Sequence, residues 1–184
     1  MAAAYAYLQN DRADNKDWFK RSGENCSGIE PLGLTKDRGK LEDFIDGLKT
    51  RGGTAGHQGI AWSWYMVSEK WGGIFSGDSK PNSFDEAQGS KALILMSDGE
   101  FIDEEFRSEL GTSDQQARAL CDAIKAQDEI QIFTVAFQAP EKGEEVLEYC
   151  ASSPANVFSA DDAQQLKDAY NSIAGSLSEL RITQ

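Results

Sequence analysis

The sequence predicts an α/β fold built on a mostly parallel sheet with helices on both faces. Three observations carry this. Residues 91–96 and 130–137 are short apolar or β-branched runs of the kind that form buried parallel strands. Apolar residues recur at helical spacing before, between and after them. Alternating the two kinds of segment requires crossover helices that cover a parallel sheet. With 184 residues, 40% of them hydrophobic, the chain suits one domain with a real core.

Residues 1–28 are polar, with Asp11, Asp14, Asn15, Lys16, Asp17 and Trp18 clustered, and read as a helix fragment and loop outside the domain at 29–184. Residues 29–34 read as a short strand, with Pro31 marking an edge or a strand start. Leu41, Phe44, Ile45 and Leu48 recur at helical spacing until Gly52 and Gly53 break the pattern. Ile60, Trp64, Val67 and Trp71 make a second stripe, which predicts a helix over 56–70. Glycine, serine, asparagine and proline make 72–90 a long connection to the strand at 91–96.

An acidic loop, 98–112, follows that strand. Ser113 with Gln116 then gives a capping-box signature for a helix whose inner face is Ala117, Leu120, Cys121 and Ile124. After the strand at 130–137, residues 141–150 read as a helix with Val146, Leu147 and Cys150 inward. Val157 and Phe158 make a short strand. Asp161 is expected to cap a last helix with the stripe Leu166, Tyr170, Ile173 and Leu177.

Charge and composition narrow the function classes. A net charge of −13 and the lack of a basic patch disfavour a nucleic-acid partner. No apolar run approaches the roughly 20 residues that span a bilayer. Residues 1–7 lack the basic and long apolar regions of a signal peptide. No GxxxxGK[ST], GxGxxG or GxSxG motif is present, so enzymatic chemistry has little support. Three dispersed cysteines and one histidine make no zinc pattern. Composition leaves open three buried thiols or one disulfide with Cys26, Cys121 or Cys150 left over.

The chemistry concentrates in two short segments. The run Lys91-Ala92-Leu93-Ile94-Leu95-Met96 ends at Ser97-Asp98-Gly99, which delivers a carboxylate to the open end of a parallel sheet. Gly52-Gly53-Thr54 presents a hydroxyl just before a helical pattern. Together Thr54 and Asp98 are oxygen donors of the kind a hard divalent cation takes, with positions left for water or a partner. Alone, Thr54 reads as a helix N-cap and Asp98 as a turn residue. His57 reads as a helix-start residue, the tryptophans Trp62, Trp64 and Trp71 as packing, and Glu100, Asp103, Glu104, Glu105 and Glu109 as a solvated loop.

At Gly53-Thr54 and Leu95-Met96-Ser97-Asp98-Gly99 the chain resembles a von Willebrand factor A domain. That resemblance implies a doubly wound sheet with a metal-ion-dependent adhesion site at its carboxyl end. Thr54 and Asp98 would then be ligands of Mg²⁺ or another divalent cation, and Gly53, Ser97 and Gly99 the supporting loop. A closer similarity is to the A-type domain of TadG-like proteins, which take part in assembling bacterial tight-adherence (Flp) pili. It runs through Pro31-Leu32-Gly33-Leu34-Thr35, the segment 52–64, the segment 95–101, Leu120-Cys121-Asp122-Ala123-Ile124-Lys125, Ile132-Phe133-Thr134-Val135-Ala136-Phe137, Cys150-Ala151-Ser152 and Leu180-Arg181-Ile182.

The family's DxSxS motif, which supplies two serine ligands from the first strand, does not occur in this sequence. The chain is therefore expected to be the carboxyl-terminal part of a longer, membrane-anchored protein, or an A-type domain whose site has decayed. The resemblance also implies an extracytoplasmic location on the inner membrane, where disulfides persist. There Cys121–Cys150 is the preferred pairing, with Cys26 left over or paired elsewhere. The expected function is a non-enzymatic adhesion or assembly module that binds a pilus or envelope protein. A structural domain with an unused site is the alternative. A metal-assisted hydrolase using Asp98 with His57 as base is a minor one.

Overall fold

A computed structural model of the chain describes residues 31–48, 54–84, 91–102 and 108–180. The proposed amino-terminal segment at 1–28, Cys26 and Gly53 lie outside these residues. At the centre are three parallel strands in the order β1 (Lys91–Ser97), β2 (Ile130–Phe137) and β3 (Val157–Ala160). The chain is mixed α/β, with this sheet flanked by helices. Lys91 pairs with Ile130 and Ser97 with Ala136, while Thr134 pairs with Val157. The β3 strand begins only there because Ser152 and Asn156 already occupy the edge of β2 below it. Ser152 Oγ accepts the Ile132 N–H at 2.9 Å, and Asn156 Nδ2 donates to the Ile132 carbonyl at 3.2 Å.

Parallel neighbours need crossovers, and two helices supply them. Helix α3 (Ser113–Lys125) links β1 to β2, and α4 (Glu141–Cys150) links β2 to β3. Together with α2 (Gly56–Val67) they bury one face of the sheet. The core there joins Ile60 and Trp64 of α2 to Leu93, Leu95, Ile130 and Ile132, with Leu120 and Ile124 of α3 and Val146 and Leu147 of α4. On the other face, Ala169 and Ile173 of α5 (Ala163–Leu180) pack on Phe133 and Val135, flanked by Leu166 and Leu177. Strand β2 is thus buried on both sides, which is why it reads as a continuous apolar run.

Among the described residues, strand β1 is well covered on one face and only in part on the other, where Ala92 packs against the α5 cluster. Leu93 and Leu95 are buried, but Ile94 is 40% and Met96 52% exposed. The last helix reaches this face of β1 through Tyr170, whose hydroxyl lies 3.6 Å from Met96 Sδ.

Several local expectations shift. Residues 31–34 are not a strand. They run irregularly against the 3-10 turn Gly77–Ser79, where Ser79 Oγ donates to the Leu34 carbonyl at 3.2 Å. Helix α1 (Arg38–Asp46) forms and is capped by Asp37, but none of its residues is buried, and Leu41 and Ile45 are exposed. The capping box of α3 uses Thr112 and Gln115, one residue earlier than expected, with Gln115 Oε1 accepting the Thr112 N–H. The start of α5 is held by Asp162 rather than Asp161, through bonds from the Gln164 and Gln165 N–H groups. Its inner stripe runs through Ala169, leaving Tyr170 at the margin.

Helices α3 and α4 lie side by side under β2 and are joined by a disulfide between Cys121 and Cys150, with Cα atoms 5.1 Å apart. Both residues are fully buried. No helix among the described residues is long and apolar enough to cross a membrane.

Candidate functional site at the carboxyl end of the sheet

The exit of β1 folds back on itself. Ser97 Oγ accepts the Gly99 N–H and donates to the Gly99 carbonyl, both at 3.2 Å. Its hydroxyl is consumed in shaping the turn, which leaves Asp98 at the apex and exposed. Beyond the turn, Phe101 drops back into the core at 7% exposure and anchors the loop from below.

Three glycines let other elements close on this turn. A Cβ at Gly99 would stand 2.9 Å from Thr54 Oγ1, so the threonine hydroxyl lies against the backbone of the aspartate turn. At Gly143, in the first turn of α4, a Cβ would stand 2.7 Å from the Gly99 carbonyl oxygen. Gly56, which opens α2, lies directly over the Phe101 ring, and a Cβ there would fall inside the ring's van der Waals envelope. Lys142 approaches Glu100 at 3.7 Å, an exposed pair that contributes little to stability.

Thr54 is not the N-cap of α2. Ala55 holds that position, with no side-chain capping bond. Asp98 sits in a turn that Ser97, not Asp98, braces. The structure therefore brings the Thr54 hydroxyl and the Asp98 turn together at the end of the sheet where α/β proteins bind ligands. Their oxygens fit a hard cation in chemical type. In number they fall short of a full coordination shell. Among the described residues no cluster of three or more His, Cys, Asp or Glu side chains is arranged to hold a metal.

His57 lies in the first turn of α2 but faces inward. It is 2% exposed, and its Nδ1 lies 2.8 Å from the Oγ of the fully buried Ser113 at the start of α3. Burial holds its pKa below the usual histidine value. The residue considered as a base for Asp98 is thus enclosed in the core, where it ties the roots of α2 and α3 together. Of the tryptophans, Trp64 is buried, Trp62 is 48% exposed, and Trp71 stacks on Tyr65 with ring centres 4.0 Å apart. In the acidic loop Glu109 is exposed, and Asp103, Glu104 and Glu105 lie outside the described residues.

A polar cleft of about 480 Å³, lined by Glu69, Lys70, Lys80 and Asn82 among others, lies near the opposite end of β1. Lys91, the first residue of that strand, donates to the Asn82 carbonyl. The sequence pointed to Thr54, Asp98 and the Ser97–Gly99 turn. It gave no sign of Gly143 or of the His57–Ser113 bond, which join segments far apart in the chain. Comparison with known proteins finds no family model that matches the chain, and no curated protein that matches it.

Proposed function

We propose that the chain is a non-enzymatic adhesion or assembly module of the von Willebrand factor A type, similar to the TadG-like component of tight-adherence pilus assembly. In this reading the carboxyl end of the sheet meets a protein partner of the pilus or envelope. Thr54 and Asp98 contribute oxygens to a divalent cation such as Mg²⁺, and further ligands come from groups outside the pair. The observation that carries the reading is the approach of Thr54 Oγ1 to Gly99, within 2.9 Å of where a Cβ would stand, combined with Thr54's release from capping duty. The parallel sheet flanked by helices suits it. A buried disulfide suits an oxidising, extracytoplasmic location. The acidic charge of −13 favours cation attraction over nucleic acid.

The alternative reading, a structural A-type domain with an unused site, is favoured by the two-donor set and the missing DxSxS. Titration calorimetry with Mg²⁺ or Mn²⁺ separates the two. Saturable binding that disappears in Thr54→Ala and in Asp98→Ala supports the metal site. An absence of saturable heat supports the structural alternative. For the adhesion reading itself, partner capture unchanged by EDTA would count decisively against a bridging metal.

A further inference from the structure

Neither Gly99 nor Gly143 has the positive φ that would demand glycine on conformational grounds. Gly143 also stands inside α4, where glycine is the least favourable residue after proline. What both positions share is space. A Cβ at Gly99 would crowd Thr54 Oγ1 at 2.9 Å, and a Cβ at Gly143 would crowd the Gly99 carbonyl oxygen at 2.7 Å. The aspartate turn is therefore clamped between the start of α2 and the first turn of α4.

Both jaws of that clamp lead back to one crosslink. The α2 jaw is tied by His57 to Ser113, the first residue of α3. From there α3 runs to Cys121, which is bonded to Cys150 at the far end of α4. Gly143 lies seven residues before Cys150 on the same helix, about 10 Å along its axis at 1.5 Å per residue. The path from Thr54 through His57, Ser113, Cys121, Cys150, Gly143 and Gly99 closes on Thr54.

We infer that Gly143 is a positioning residue for the Asp98 turn, and that the Cys121–Cys150 disulfide is the remote brace holding α4, and so Gly143, against it. The inference rests on the metal-site reading for its functional meaning, but not for its test. Hydrogen–deuterium exchange of the whole chain, without metal, reads the clamp directly at the Gly99 N–H, which Ser97 Oγ protects.

In Gly143→Ala this amide exchanges at least tenfold faster than in the wild type, while the amides of β2 keep their protection. Wild-type protein reduced with a phosphine also exchanges faster at Gly99, more weakly, while β2 loses only the protection that the lower global stability removes. Cys121→Ala/Cys150→Ala is a second route should reduction fail to reach the buried bond. Unchanged exchange at Gly99 in all of these would overturn the inference. So would a loss of protection confined to β2 after reduction, with Gly99 unchanged, which would make the crosslink a general stabiliser only. Mn²⁺ binding followed by paramagnetic resonance adds an independent arm, with affinity expected to fall at least tenfold in Gly143→Ala. A wild type that binds no Mn²⁺ counts against the metal reading, and exchange still decides the clamp.

Discussion

His57 Nδ1 and Ser113 Oγ meet at 2.8 Å in the core, joining the first turns of two helices that are 56 residues apart in sequence. Both residues are at most 2% exposed. A buried polar pair of this kind is costly to break from one side, because the group left behind keeps its desolvation penalty.

Acid should weaken the fold through this pair. Burial lowers the pKa of His57 from its ordinary 6.5, so the folded state resists a proton that the unfolded chain accepts. As pH falls through about 6.5 the unfolded state binds the proton first, and stability declines until the lower, folded pKa is passed. Above about 6.5 the contribution is fully present. The slope inside that window is about 1.4 kcal/mol per pH unit at most. Urea unfolding from pH 8 to pH 5 should show a decline that His57→Gln lacks. Equal slopes in the two proteins would remove His57 as the cause. Ser113→Ala should cost about 1–2 kcal/mol at neutral pH.

Two glycines of α2 should respond oppositely to alanine. Gly56 lies on the Phe101 ring, so Gly56→Ala must displace the ring or the helix start, at a cost of about 1–3 kcal/mol. Gly59 is exposed, three residues further along the helix, with open space where its Cβ would be. Gly59→Ala should therefore stabilise by about 0.5–1 kcal/mol through helix propensity and loss of unfolded-state entropy. Thermal midpoints of the two variants, measured side by side, check both signs. A Gly56→Ala protein as stable as the wild type would refute the contact with Phe101.

The central strands and their helices were legible because burial on two faces writes a continuous apolar run at 130–137, and burial on one stripe writes the 3.6-residue period of α3 and α4. The same signals mislead where they record a face without recording what covers it. Leu41 and Ile45 keep helical spacing in α1 yet stay exposed among the described residues. Caps were ambiguous for a local reason. Thr112 with Gln115 and Ser113 with Gln116 satisfy the same pattern, and only the distant His57 decides which hydroxyl is free to cap. At the candidate site, Asp98 and Thr54 could be read from strand-end and glycine signals. Gly143 could not, because a glycine chosen for clearance resembles one chosen for nothing until the Gly99 carbonyl is seen above it.

The crosslink between α3 and α4 gives the last prediction. Cys121 and Cys150 close a loop of 29 residues, for which chain entropy predicts about 3–4 kcal/mol of stabilisation. Both sulfurs are buried in the core, where alanine is tolerated better than a charged or larger residue. Cys121→Ala/Cys150→Ala should unfold in urea at a lower midpoint by about that free energy, plus the smaller loss of two buried side chains. Alkylation of the denatured, unreduced wild type should label one cysteine, and reduction beforehand should raise this to three. The single label should map to Cys26. Labelling at Cys121 or Cys150 without reductant would show that the bond is not formed in the purified protein, and the stability difference between wild type and the double variant should then shrink to the cavity cost alone.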